Sequence, residues 1–163
     1  IAEHEEDYDF IILDSPAGIG KDNLALNAYC DLRIVVVTPD KSSLTDSYSL
    51  IKILSLKYDI KENHLLVNQV STITQYQRIV RSMSETVDQF LNGQLRILGG
   101  ISKVEDAVDR FDQTLLKNAD SKIHKNFLKV VVKLVEECER QTMSVKKSVP
   151  TLGADDFEQE AQK

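Results

Sequence analysis

Short apolar runs alternate along this chain with stretches of helical periodicity. Phe10-Ile11-Ile12-Leu13 is unbroken by polar residues, with acidic residues before it and Pro16, Gly18 and Gly20 after it. Such a run predicts a strand covered on both faces, as in a parallel sheet. Leu32 to Val37, Leu65 to Val70 and Leu95 to Ile101 repeat the pattern. Helical spacing fills the intervals. Residues 22–29 predict a short helix opened by Asp22 or Asn23. Residues 43–58 place Leu44, Tyr48, Ile51, Leu54 and Leu56 behind a capping Ser42 or Ser43. Residues 74–91 put Ile79, Val80, Met83, Val87, Phe90 and Leu91 on one face, and residues 121–142 do so with Ile123, Phe127, Val130, Val131, Leu134 and Cys138. These stripes are surfaces for core packing.

Strands alternating with helices predict βαβ units with right-handed crossovers: an α/β fold, a parallel sheet with helices on both faces. The periodicity fades after about Ser144. The expected organisation is one domain over residues 1–143 and a flexible acidic tail over 144–163, which holds Pro150, Gly153, Asp155, Asp156, Glu158 and Glu160.

Composition narrows the partners. The chain has 163 residues, 42% hydrophobic and 28% charged, which suits a globular domain with a real core. A net charge of −6 disfavours a bulk electrostatic grip on nucleic acid or on an anionic membrane. Cys30 and Cys138 lie far apart without metal or redox spacing, as reduced thiols of a cytoplasmic protein do. No apolar run approaches the ~20 residues that cross a bilayer. The first residue is Ile rather than Met, with nine residues ahead of Phe10. The chain is therefore expected to be the C-terminal portion of something longer, or else a stand-alone remnant whose sheet edge another chain covers.

The residue that asks for chemistry is Asp14, at the carboxyl end of the first predicted strand. Ligands of open α/β sheets sit beyond those ends. A carboxylate there can hold magnesium, directly or through water, while the ion bridges nucleotide phosphates; an aspartate also simply closes a turn after many strands. Gly18 lets a backbone N–H approach a phosphate without a Cβ in the way. Gly20-Lys21 does not make a phosphate loop: that motif needs G-x-x-x-x-G-K-[ST], and here Asp22 follows the lysine while Ser15 stands at the first glycine. Lys21 reads as a solvated loop lysine.

These residues carry a family resemblance. "YDFIILDSPAGI" resembles the segment of the MinD/ParA ATPases that holds the Walker B aspartate and switch II. "VVVTPDKSSLTDSYSLIKIL" resembles the next strand and helix, and "TDSYSLIK" within it is most like the flagellar-number regulator type, FlhG. "LLVNQV" resembles the strand whose terminal asparagine reads the base, and "LGGISKVEDAV" the strand and adenine-side loop after it. The resemblance spans residues 7–135.

It implies a P-loop NTPase of the SIMIBI/MinD-like kind, incomplete on its N-terminal side. Asp14 would hold Mg2+ through water, Gly18 would contact the γ-phosphate region and move with nucleotide state, and Asn68 would pair with the adenine edge of ATP. Ser102 and Glu105 would lie in the loop beside the base. The family's loop usually begins Ile-Pro, whereas this chain has Ile101-Ser102, which leaves the loop less preorganised. The deviant Walker A lysine loop and the switch I aspartate are not in these residues, so the chain alone is expected neither to bind ATP tightly nor to hydrolyse it. No catalytic residue is assigned.

The implied function is an ATP-dependent spatial regulator of flagellar number or placement. It would be a homodimer closed through nucleotide, would work with a protein partner such as a flagellar or polar factor, and would be cytoplasmic or peripheral at the membrane. Relatives often end in a basic amphipathic helix, but the acidic end of this chain opposes anionic lipid. A degenerate, non-catalytic protein-binding module is the alternative, as is a ParA-type DNA segregation ATPase.

Overall fold

A computed structural model describes residues 8–16, 18–104 and 118–148, the side chains of 144–148 excepted. In chain order the elements are α1 (Lys21–Tyr29), β1 (Ile34–Val37), α2 (Lys41–Tyr58), β2 (Glu62–Val70), α3 (Ile73–Leu91), β3 (Gln94–Ser102) and α4 (Lys122–Ser148). The three strands form one parallel sheet in the order β1-β2-β3. α2 and α3 make the two crossovers.

At β2 and β3 both faces of the sheet are covered, as the apolar runs predict. On one face Val35, Val37, Leu65, Val67 and Leu95 meet Ile51 of α2 and Ile79, Met83, Val87 and Leu91 of α3. On the other, Leu98 and Ile101 meet Ile123 and Val130 of α4, with Leu66, Phe127 and Leu134 at the margin. Full burial of an aliphatic side chain stabilises by about 1.5–3 kcal/mol, so the buried Ile51, Leu65, Val87 and Leu98 are principal anchors.

Local chemistry sets the helix starts. α2 begins two residues before the expected position because Asp40, not Ser42 or Ser43, is its cap: the Asp40 carboxylate accepts from the Ser43 N–H at 2.8 Å. That bond, and a second from the Thr38 hydroxyl, hold the Asp40 carboxyl below its ordinary range. The Ser43 hydroxyl instead accepts from the Thr38 N–H. Thr72 caps α3 by accepting from the Gln75 N–H at 3.1 Å, and Asn92 ends it in the left-handed region. α1 starts behind Gly20 with no side-chain cap, so neither Asp22 nor Asn23 plays the expected part.

The first apolar run departs from expectation. Residues 10–13 form no strand, and Phe10, Ile11 and Ile12 are exposed, Ile12 at 88%. The cause lies in what stands beside them. Among the described residues β1 is the edge of the sheet, with no strand on its other side, and residues 8–16 line a cleft with it rather than pairing with it. A run of this kind is buried only between neighbouring strands. β1 shows the same lack: Val35 and Val37 are covered, while Ile34 and Val36 project from the opposite face, Val36 at 51% exposure.

α4 continues through Ser148, past the expected boundary near 144, and residues 149–163 of the tail lie outside the described residues. Among the described residues no helix is long and apolar enough to cross a membrane.

Candidate functional site

The carboxyl ends of β2 and β3 carry two of the expected residues, Asn68 and Ser102. β2 and β3 lose regular register between Val67 and Val70, and Val70 resumes pairing opposite Ser102. Within this bulge Gln69 takes a positive φ of 57°. Half-buried Asn68 accepts from the Gln69 N–H through Oδ1 at 2.9 Å. No hydrogen bond engages its Nδ2 among the described residues, so the amide keeps both donors and a second acceptor lone pair for a ligand.

Ser102 ends β3 and is tied to α4. Its N–H and its hydroxyl both donate to Oδ1 of Asn126, at 3.3 and 2.9 Å. Lys103 extends the contact with β2 by donating its N–H to the Val70 carbonyl at 2.9 Å. A proline at 102 would fix φ and remove the N–H; serine leaves φ free, and Asn126 supplies the restraint. Glu105 lies outside the described residues.

Asp14 and Gly18 stand elsewhere. Both line an open cleft of about 2380 Å³ on the free side of β1, whose walls include residues 8–16, Ile34 and Val36 of β1, Ser43, Asp46 and Ser47 of α2, and Leu134, Val135 and Cys138 of α4. Asn68 and Ser102 do not line it. Asp14 is exposed, on an extended segment rather than at the end of a paired strand, and makes no hydrogen bond among the described residues. Its two hard oxygens are the ligand type that magnesium takes.

Gly18 has φ +113°, a conformation costly for any residue with a Cβ, although nothing would crowd that atom. The turn is held from α1. Asn23 Nδ2 donates to the carbonyls of Pro16 and Gly18 at 2.8 and 2.6 Å, and Asn23 Oδ1 accepts from Asn27 Nδ2 at 2.9 Å. The sequence offers Asn23 only as a helix cap, not as the clamp of this turn, and gives no signal for Asn126.

The described geometry therefore holds two groups: Asn68 with Ser102 at adjoining strand ends, and Asp14 with Gly18 in the cleft beside β1. Residues 1–92 match the family model of the cellulose biosynthesis protein BcsQ. The chain is 41% identical over 63 residues to the flagellum site-determining protein YlxH of Helicobacter pylori, covering 39% of this chain and 21% of that protein. It is 39% identical over 72 residues to the septum site-determining protein MinD of the same organism, covering 39% and 26%. It is 25% identical over 96 residues to the antiactivator FleN of Pseudomonas aeruginosa, covering 59% and 34%. The chain thus spans about a fifth to a third of the length of these relatives. With the family model matching more than half of the chain, and with a parallel sheet flanked by helices beneath it, the chain belongs to the BcsQ family of MinD/ParA-type P-loop ATPases, as a partial, FlhG-like relative.

Proposed function

We propose that this chain forms part of an ATP-dependent spatial regulator that positions flagella or another polar structure. The observation that carries the reading is the placement of Asn68 and Ser102 near the adjoining carboxyl ends of β2 and β3, where parallel sheets hold ligands, in a chain 41% identical over 63 residues to a flagellum site-determining protein. Asn68 takes the adenine edge of ATP, with the loop after Ser102 beside the base. Asp14 holds Mg2+ through water, and Gly18 lies toward the γ-phosphate. Bound Mg·ATP would supply the charge-stabilised phosphoryl group on which this chemistry depends. The complete protein closes as a homodimer through nucleotide and acts on a protein partner at a flagellar or polar site, in the cytoplasm or at the membrane surface.

The cleft beside β1 supports the same reading. Ile34 and Val36 on one wall and Phe10, Ile11 and Ile12 on the other are exposed apolar groups, and among the described residues β1 offers an unpaired strand edge. The family's phosphate-loop strand sits centrally in its sheet, and such a strand belongs between these walls. Residues 1–163 hold no glycine-rich loop with a G-K-[ST] ending, so this polypeptide alone binds Mg·ATP more weakly than micromolar in a calorimetric titration. Reading the gene immediately 5′ of the Ile1 codon tests the switch: an in-frame glycine-rich lysine loop supports it, and its absence contradicts it. The exposed cleft also favours a second reading, a non-catalytic module that takes a partner's strand along β1; that absence, together with capture of a partner in the cleft, would select it.

A further inference from the structure

A separate group of ligating side chains lies at the opposite end of β2. Glu62 and His64 are two residues apart on that strand and so share a face, the one toward α4. Glu137 and Arg140 approach from α4, and Arg96 comes from β3, paired in register with His64. Glu62 accepts from Arg96 Nε at 3.0 Å and from an Arg140 guanidinium nitrogen. Glu137 accepts from Arg140 Nε at 2.7 Å.

The imidazole is the exception in this otherwise well-paired group. His64 is 1% exposed, yet its Nε2 has only a 3.4 Å approach to Glu137 Oε2, and its Nδ1 is buried with no partner among the described residues. Nε2, the ring nitrogen that faces Glu137, is thus held only at the outer limit of a hydrogen bond and is the one open to a ligand.

We propose that Glu62, His64 and Glu137 form a site for a borderline transition-metal ion of the Zn2+ or Co2+ class, which enters by displacing the Arg140 guanidinium. One donor atom from each of the three residues lies within 4.8 Å of the others. One imidazole and two carboxylates form a three-ligand set that, completed by water, suits Zn2+; the nitrogen donor turns the choice away from Mg2+ and Ca2+. Arg140 sits at the rim, 39% exposed, and can swing into solvent while the incoming ion takes over its charge on both glutamates. Arg96 remains on Glu62 and orients it from outside the ligand shell. Coordination uses His64 Nε2, with the ring proton on Nδ1. The ion would fasten α4 to the amino end of β2, away from Asn68 and Ser102.

The test is Co2+ titrated into the 163-residue chain and followed by its visible d–d absorption, with Zn2+ added as a competitor. The proposal expects saturable bands at one ion per chain that Zn2+ abolishes. Arg140→Gln should tighten the apparent Kd, and His64→Gln and Glu137→Gln should each weaken it, by at least about tenfold. Glu137→Gln changes a half-buried helix residue and keeps the test open if His64→Gln does not fold by circular dichroism. Three results would overturn the proposal: no saturable bands in either the wild type or Arg140→Gln, bands unchanged in Glu137→Gln, or charge-transfer bands showing that Cys30 or Cys138 thiolate holds the ion.

Discussion

Ser102 gives both its backbone N–H and its hydroxyl proton to one acceptor, Oδ1 of Asn126, which ties the carboxyl end of β3 to the start of α4. Asn126→Ala strands two half-buried donors at once. It is expected to lower stability by about 1–2 kcal/mol, seen as a lower urea midpoint at unchanged slope. An unchanged midpoint would show that water replaces Asn126 at no cost.

Asn23 holds the turn at Pro16 and Gly18 by two hydrogen bonds from one amide. Its removal should open that turn and little else, because Asn23 packs in neither core cluster. Asn23→Ala is expected to speed amide exchange at Gly18 to Gly20 while exchange in β2 stays the same. Gly18→Ala should also loosen the turn, since an L residue at φ +113° is strained by about 1 kcal/mol or more, even with open space around its Cβ. Protection unchanged in both variants would contradict this account of the turn.

Gly100 is small because Tyr76 lies against it. A Cβ there would come within 2.8 Å of the Tyr76 ring. Gly100→Ala is expected to cost about 1–3 kcal/mol through forced displacement of the ring. Gly20→Ala, where a Cβ meets nothing within 4 Å, serves as the control. Thermal unfolding of the two variants checks the contrast, and equal melting temperatures would count against it.

Acid should weaken the junction of α4 with β2. Burial alone would raise Glu62, but Arg140 and Arg96 hold its carboxyl below the ordinary 4.5; Glu137 is likewise held below that value by Arg140 and His64 against the effect of burial. Both groups bind protons less readily folded than unfolded. Their contribution is therefore complete above the unfolded pKa and is lost as pH falls through the depressed native values. Melting temperature measured from pH 6 downward should drop below about pH 4.5, and Arg140→Gln should flatten the drop. A wild-type curve no steeper than the variant's would remove this role from the cluster.

Much of the fold was legible because its core obeys period. β1, α2, α3 and β3 lie within about two residues of the pattern's expectation. β2 starts earlier than its apolar run because Asn63 and His64 are polar yet buried, and a hydrophobic pattern excludes such positions. Residues 10–13 have the composition of a doubly covered strand, but composition does not say which strand stands alongside, and β1 leaves that side open. Asn68 and Ser102 could be named because they sit at strand ends. Asn126 could not, because it reaches Ser102 from 24 residues away, and no local spacing encodes that contact.

Asp14 is proposed to serve a nucleotide-bound magnesium. The most direct test uses the protein translated from the whole reading frame that contains these residues, with Mg·ATP affinity and hydrolysis measured for wild type and Asp14→Ala. The account predicts that the wild type binds Mg·ATP and hydrolyses it, while Asp14→Ala loses the magnesium dependence of binding and at least about a hundredfold in rate. Equal affinity, magnesium dependence and turnover in the two proteins would contradict it.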